Sequence, residues 1–346
     1  ITSTVGMMSP EEIFKYYAKS IGIGGIAMAD VIGIIRSWSI IKSAVGLAAK
    51  EMGGKGNVEK NIMRTQRDLS MKIIAIGSII TLILIVLFFY FDIMQGNIVH
   101  TLVAIALVAG ISFLFTTVAA NAIAIVGTNP VSGMTLMTLI LASVVMVAVG
   151  LKGPSGMVAA LVMGGVVCTA LSMAGGFITD LKIGYWLGST PAKQETWKFL
   201  GTLVSAATVG GVIMILNKTY GFSTGALAAP QANAMAAVIE PLMNGVGAPW
   251  LLYGIGAVLA IVLNACKIPA LAFALGMFIP LELNVPLVVG GAVNWYVTGR
   301  SKDAALNAER GEKGTLLASG FIAGGALMGV VSAATVSYTH LRAHET

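Results

Sequence analysis

"IIAIGSIITLILIVLFFYF", Ile73 to Phe91, carries no charged side chain and is bracketed by Lys72 and Asp92. At about 1.5 Å of rise per residue a helix over this run reaches about 28 Å, enough to cross the hydrocarbon core of a bilayer. The rest of the chain is in keeping with that reading. Its 346 residues are 57% hydrophobic and only 10% charged, with a mean hydropathy of +0.89, far from the balance of a soluble domain. The 42 glycines suit helices that meet in lipid, where small residues let backbones approach; they follow no three-residue period, which excludes collagen.

Further spans are expected at Tyr17 to Ile35, Ile98 to Val126, Met134 to Gly150, Met157 to Ile178, Phe199 to Leu216, Trp250 to Cys266, Ile268 to Leu283, Val285 to Val297 and Leu316 to Ala334. The fold class is all-α, a polytopic transmembrane helical bundle, and the short pair around Pro280 reads as a broken or re-entrant segment. Residues 1–334 form one transmembrane domain in this reading.

The formal charge of +6 does not point to nucleic acid, because the basic residues sit in short loops without interleaved aromatics. They act as topology signals. Between Arg36 and Lys72 there are eight basic residues against Glu51, Glu59 and Asp68, which makes residues 36–72 a cytoplasmic loop. Counting crossings puts the basic connections Asp180 to Lys198 and Arg300 to Lys313 on the same side, and those near Gln95, Lys152 and Gly221 outside. From Trp38 to Met52, Ile40, Ile41, Val45 and Leu47 oppose Lys42 and Lys50, the pattern of a helix lying on the membrane surface. Cys168 and Cys266 are expected to be buried apolar thiols. No metal, cofactor or nucleotide site is expected: the P-loop pattern is absent.

Both termini are expected to be non-native. The chain opens on Ile1 and reads as the C-terminal part of a longer protein, and "VSYTHLRAHET", Val336 to Thr346, reads as an adapter-derived tail. Setting the tail aside leaves His100 as the one histidine, placed at the outer interface.

"GTNPVSGMT", Gly127 to Thr135, places a proline, an amide and hydroxyls between two apolar runs. Pro130 ends the arriving helix, and Ser132 can cap the next one, starting near Gly133. One reading is a tight turn; the other is a discontinuous helix pair whose free N–H groups and hydroxyls face a substrate. Taken with "MRTQRDLSMK" (Met63 to Lys72), "GGFITDLKIGYWLGSTPAKQ" (Gly175 to Gln194), "APQANAMAAVIEPL" and "PWLLYGIGAVLAIVL", the sequence resembles the oligopeptide transporter (OPT) family in its prokaryotic branch, related to yellow-stripe-like metal-chelate carriers. The matches run over about residues 10 to 334.

The resemblance implies a proton-coupled symporter in the inner (plasma) membrane that imports small peptides or peptide-like metal chelates. Its partners would be that cargo, protons and the lipid bilayer, and a homo-oligomer is compatible with it. A proton-coupled carrier needs an intramembrane acid. Glu240, beside Pro241, and Glu282, between Pro280 and Pro286, are the first candidates, with Asp180 third and read as paired to Lys182. Asp30 lies inside the first span, where an acid is costly. Asn129, Ser132, Thr135, Tyr185, Gln231, Asn233 and Asn294 are candidate substrate contacts, each also readable as an interhelical hydrogen bond or interface aromatic. A membrane enzyme such as an ion-pumping pyrophosphatase would need clustered acids and lysines, which the sequence lacks. A channel is the remaining rival.

Overall fold

The structure is a computed structural model and describes residues 8–36, 38–39, 42–43, 46, 63–126, 131–222, 230–244, 249–279 and 281–343. Among these the chain is helical and contains no strand. Eleven helices organise it. They are α1 (Lys19–Arg36), α2 (Met71–Phe88), α3 (Ile98–Val126), α4 (Val131–Ala148), α5 (Gly153–Trp186), α6 (Pro191–Tyr220), α7 (Pro230–Met243), α8 (Trp250–Ala265), α9 (Ala270–Phe278), α10 (Leu281–Gly299) and α11 (Ala304–Ala343). A short helix, Pro10–Ile13, and a π-turn, Phe14–Ala18, lead into α1. Ser9 starts that rod with a capping box: its hydroxyl accepts from the Glu12 N–H, and its own N–H donates to the Glu12 carboxylate at 2.9 Å, satisfying donors that a helix start leaves open.

Among the described residues six helices are long and apolar enough to cross a membrane: Pro10–Arg36, Arg64–Ile93, Ile98–Ala120, Gly153–Trp186, Pro191–Tyr220 and Ala304–Val336; Met134–Ala148 and Trp250–Ala265 are shorter apolar helices. The protein is thus an all-α, multi-pass membrane protein. Two expected spans are redrawn. The run Ile268 to Leu283 is broken, because α9 ends at Phe278 after nine residues, about 14 Å of helix and too short to cross alone. The expected boundary between Leu283 and Val285 does not exist: α10 runs through it from Leu281 to Gly299 with Pro286 inside. Pro241 likewise lies inside α7. Each proline removes one N–H without ending its helix, as membrane helices tolerate. The helix after Pro130 begins at Val131, so Ser132 stands in its first turn rather than ahead of it. Ile40, Ile41, Val45 and Leu47 fall outside the described residues.

By its contacts the chain divides into two units, residues 1–196 with 231–278, and residues 197–230 with 279–346. In the first, α1 is held by the α8–α9 hairpin. Gly24 meets Tyr253, and the Arg36 guanidinium donates to the Asn264 Oδ1 at 2.8 Å, so α1 and α8 run parallel. Gly22 meets Phe278 and Gly25 meets Ala274, so α9 runs antiparallel. Small residues are needed here because no side chain fits between backbones this close. On the other flank, α3, α4 and α5 pack around Phe115, Leu139, Met146, Met163 and Leu171, with Ile239 and Met243 of α7 joining. The His100 Nε2 lies 3.3 Å from the Val149 carbonyl oxygen, tying the start of α3 to the end of α4.

The second unit contains most of α6, with α10 and α11. Asp303 caps α11 by accepting from the Ala305 N–H at 2.9 Å, and Asn307 exchanges hydrogen bonds with the Ser301 backbone. Its helices expose leucine, valine and phenylalanine along their length, as do Ile76, Ile80 and Leu84 of α2; helices apolar on an outward face are suited to lipid.

Two loop stretches meet on one side of the first unit. At the end of α5, Gly188 adopts a left-handed φ of +66°, and the Ser189 N–H bonds the Gly184 carbonyl at 2.8 Å, a helix stop that favours glycine. Arg64 then donates to the Gly188 carbonyl at 2.8 Å and to the Thr190 hydroxyl at 3.2 Å. Glu195 accepts from the Leu69 N–H at 2.8 Å, and the Ala192 N–H donates to the Arg67 carbonyl at 2.9 Å. The two sequence stretches that carried much of the family resemblance therefore form one clasp. Single cysteines at Gly54, Lys193 and Ala304, in a background without Cys168 and Cys266, are expected to resist an impermeant maleimide added outside intact cells. Lys193 is used because it is exposed while the Ser189 hydroxyl is buried. Labelling at any of the three would overturn the orientation read from the loop charges.

Candidate functional site

Buried polar side chains are few. Among the described residues they are Asp30 on α1, Thr101 on α3, and Thr135, Thr138 and Ser143 on α4. Helices α1 and α4 pack against each other, so four of these five groups belong to one helix pair inside an otherwise apolar bundle. Thr138 turns its hydroxyl back to the Met134 carbonyl at 2.8 Å, a bond that hides its polarity within its own helix. The Asp30 Oδ2 and the Ser143 Oγ have no hydrogen-bond partner among the described residues.

Why Asp30 is buried follows from helical spacing. Gly22, Gly25, Ala29, Gly33 and Arg36 recur every three or four residues and form the face toward α8 and α9. Ile23, Ile26, Asp30 and Ile34 form a neighbouring face, and Ile34 packs against the α3–α5 core. Asp30 is 5% exposed. Beside it in sequence, Ala29 lines a cavity of about 410 Å³ with Ile32, Gly33, Arg36, Asn264 and Lys267. Lys267 holds a left-handed φ of +62° in the turn that ends α8, where the Ile268 N–H reaches the Leu263 carbonyl at 2.9 Å. That conformation costs a residue with a Cβ roughly 1 kcal/mol and sets its backbone at the cavity wall.

The candidates from sequence fall in several places. Thr135 is 2% exposed and belongs to the buried polar set. Ser132 is in the first turn of α4, and Gln231 and Asn233 are in α7, with side chains outside the described residues; Asn129 lies outside them altogether. Tyr185 is 68% exposed, and the Lys182 ammonium sits over its ring and that of Trp186, at 5.8 and 5.4 Å. Asp180 and Glu240 are exposed in the first unit, and Glu282 and Asn294 are exposed in the second. The backbone at Glu240 and Glu282 is helical rather than unwound; Pro286 withdraws the N–H that would meet the Glu282 carbonyl, which is the local opening left there.

Cys168 is half-buried and Cys266 exposed. The second corrects the expectation of a buried thiol, because Cys266 follows α8 as its cap rather than lying within it. No group of three or more His, Cys, Asp or Glu gathers to hold a metal among the described residues.

A buried acid and buried hydroxyls on packed helices of a multi-pass bundle mark a functional region, because such groups are costly at membrane depth. The profile of the family described as OPT oligopeptide transporter protein matches residues 2–336, and the chain belongs to that family. It is similar to a Haemophilus influenzae protein named "Putative oligopeptide transporter", at 28% identity over 368 aligned positions that cover 93% of this chain and 57% of that protein. The chain therefore spans little more than half the length of the curated relative it matches. No solved structure matches it.

Proposed function

We propose that this chain is part of a secondary transporter of the inner (plasma) membrane that imports small oligopeptides, or peptide-like metal chelates, together with protons. The observation that carries the reading is the helix pair α1 and α4. In a family of oligopeptide transporters, this pair holds Asp30, Thr135, Thr138 and Ser143 buried within an apolar bundle. Polar groups at membrane depth are expensive and are kept where ions or substrates pass.

On this reading Asn129, Ser132, Thr135, Tyr185, Gln231, Asn233 and Asn294 supply polar contacts along the cargo path. Asp180, Glu240 and Glu282 take part in proton coupling on the same reading. Amides and hydroxyls suit the repeating N–H and C=O groups of a peptide, which need partners once they leave water.

The test is uptake by the full-length protein in proteoliposomes, with and without an acid-outside gradient, against di- to pentapeptides and peptide-like metal chelates. Accumulation at least tenfold above the gradient-free level, abolished by a protonophore, is expected for one cargo class. Uptake indifferent to the gradient would remove proton coupling, and a flux that saturates at equal concentrations on both sides would favour a channel. Glu240→Gln and Glu282→Gln are expected to slow initial uptake several-fold while leaving the final accumulation ratio intact. Wild-type initial rates in both variants would withdraw the two residues from the path.

A further inference from the structure

Asp30 differs from every other acid described in the chain in being buried, and the described residues around it offer it no counter-charge. The titratable groups on the elements packed against α1 are few. On α8 there is Tyr253, on α3 His100, and on α4 and α9 none; α1 itself carries Lys19 and Arg36, and ahead of it on the same rod lie Glu11, Glu12, Lys15, Tyr16 and Tyr17. Each cation within reach along the helix is occupied elsewhere. The Arg36 guanidinium bonds Asn264 and lies about 9 Å along the axis from Asp30. The Lys19 ammonium sits 5.6 Å from the centre of the Phe278 ring, about 16 Å along the axis in the other direction. The His100 ring is placed at Val149.

A carboxylate taken from water without a partner is strongly disfavoured, whereas the same group carrying a proton is far less so. A structural buried carboxylate is normally paired, and the Asp30 Oδ2 has no partner among the described residues. Its neighbour Ala29 lines the open cavity that ends at Arg36 and Lys267. Asp30 is therefore shut off from solvent while standing one residue from a route to it. The α1 faces toward α8 and α9 are built on Gly22, Gly24, Gly25, Gly256 and Ala274, small residues that bring the backbones close.

We infer that Asp30 is the residue at which this carrier binds and releases its coupling proton, through the exchange of a carboxylate and a free proton for a carboxylic acid. This rests on the proton-coupled reading above. The test uses the full-length protein in proteoliposomes with the peptide or chelate that it accumulates best, in wild type, Asp30→Asn and Asp30→Glu. Gradient-driven accumulation is expected to fall at least tenfold in Asp30→Asn, while counterflow exchange of the same cargo stays within about twofold of wild type and loses its pH dependence. Asp30→Glu should restore accumulation with a displaced pH profile. Accumulation in Asp30→Asn within twofold of wild type overturns the assignment and leaves proton coupling standing. Wild-type uptake that ignores the gradient overturns both. Should Asp30→Asn fail to fold, Asp30→Glu decides alone: an unchanged pH profile sinks the proposal. Infrared titration of the purified carrier gives an independent readout, in which a protonated-carboxyl band is expected to move in Asp30→Glu, and an unmoved band counts against it.

Discussion

Gly256→Val is expected to lower the thermal stability of the detergent-solubilised protein severely, by about 3 kcal/mol or more, whereas Gly254→Val two residues away is expected to be mild. A Cβ at Gly256 would collide with the Ile21 carbonyl and stand 2.8 Å from the Gly25 nitrogen, while a Cβ at Gly254 meets nothing. The obstruction at Gly256 is backbone, which cannot rotate away as a side chain can. Relief requires α1 and α8 to separate, and this would also stretch the 2.8 Å bond between Arg36 and Asn264. Both variants add the same β-branched side chain to the same helix, so helix propensity cancels between them. Equal losses in the two would show that α1 and α8 do not meet as described. Gly24→Val, opposite the Tyr253 backbone, should repeat the Gly256 result from the other helix.

The clasp between residues 63–70 and 188–195 gives the second large effect. Arg64→Ala removes two donors that hold Gly188 and Thr190, and Glu195→Ala removes the acceptor of the Leu69 N–H. A hydrogen bond involving a charged group contributes roughly 1.5–3 kcal/mol when sheltered, and less where solvent screens it, as at the exposed Arg64. Hydrogen exchange at the Leu69 and Ala192 amides is expected to rise about tenfold in either variant, with the core of α5 unaffected. Arg64→Lys should not rescue, because two guanidinium nitrogens reach two different acceptors and a single ammonium lacks that fork. Unchanged exchange at Leu69 in Glu195→Ala would remove the clasp.

Much of the fold was legible in the chain because lipid imposes a simple rule. Where there is no water, backbone groups must bond within a helix, so a long uncharged run such as Ile73 to Phe91 has one fate. The same rule misleads near proline. Pro280, Pro286 and Pro241 look alike in sequence, yet α7 continues through Pro241 and α10 through Pro286, while α9 stops at Phe278. Proline removes one N–H wherever it stands, so the residue type alone does not fix where a helix ends.

The site divides in the same way. Asp30 could be marked from sequence as an acid within an apolar span and Glu240 and Glu282 as acids beside prolines, and only packing separates them: Asp30 is enclosed by α1's neighbours while the two glutamates are exposed. Hydropathy by itself determined that this is a helical membrane protein and where most of its spans lie, and the quoted motifs carried the family resemblance. Which helices touch, which glycines are indispensable, and which acid loses its water were decided by tertiary structure alone. Burial is a property of what surrounds a residue in space, and helices distant in the chain, such as α1 and α8, supply those surroundings.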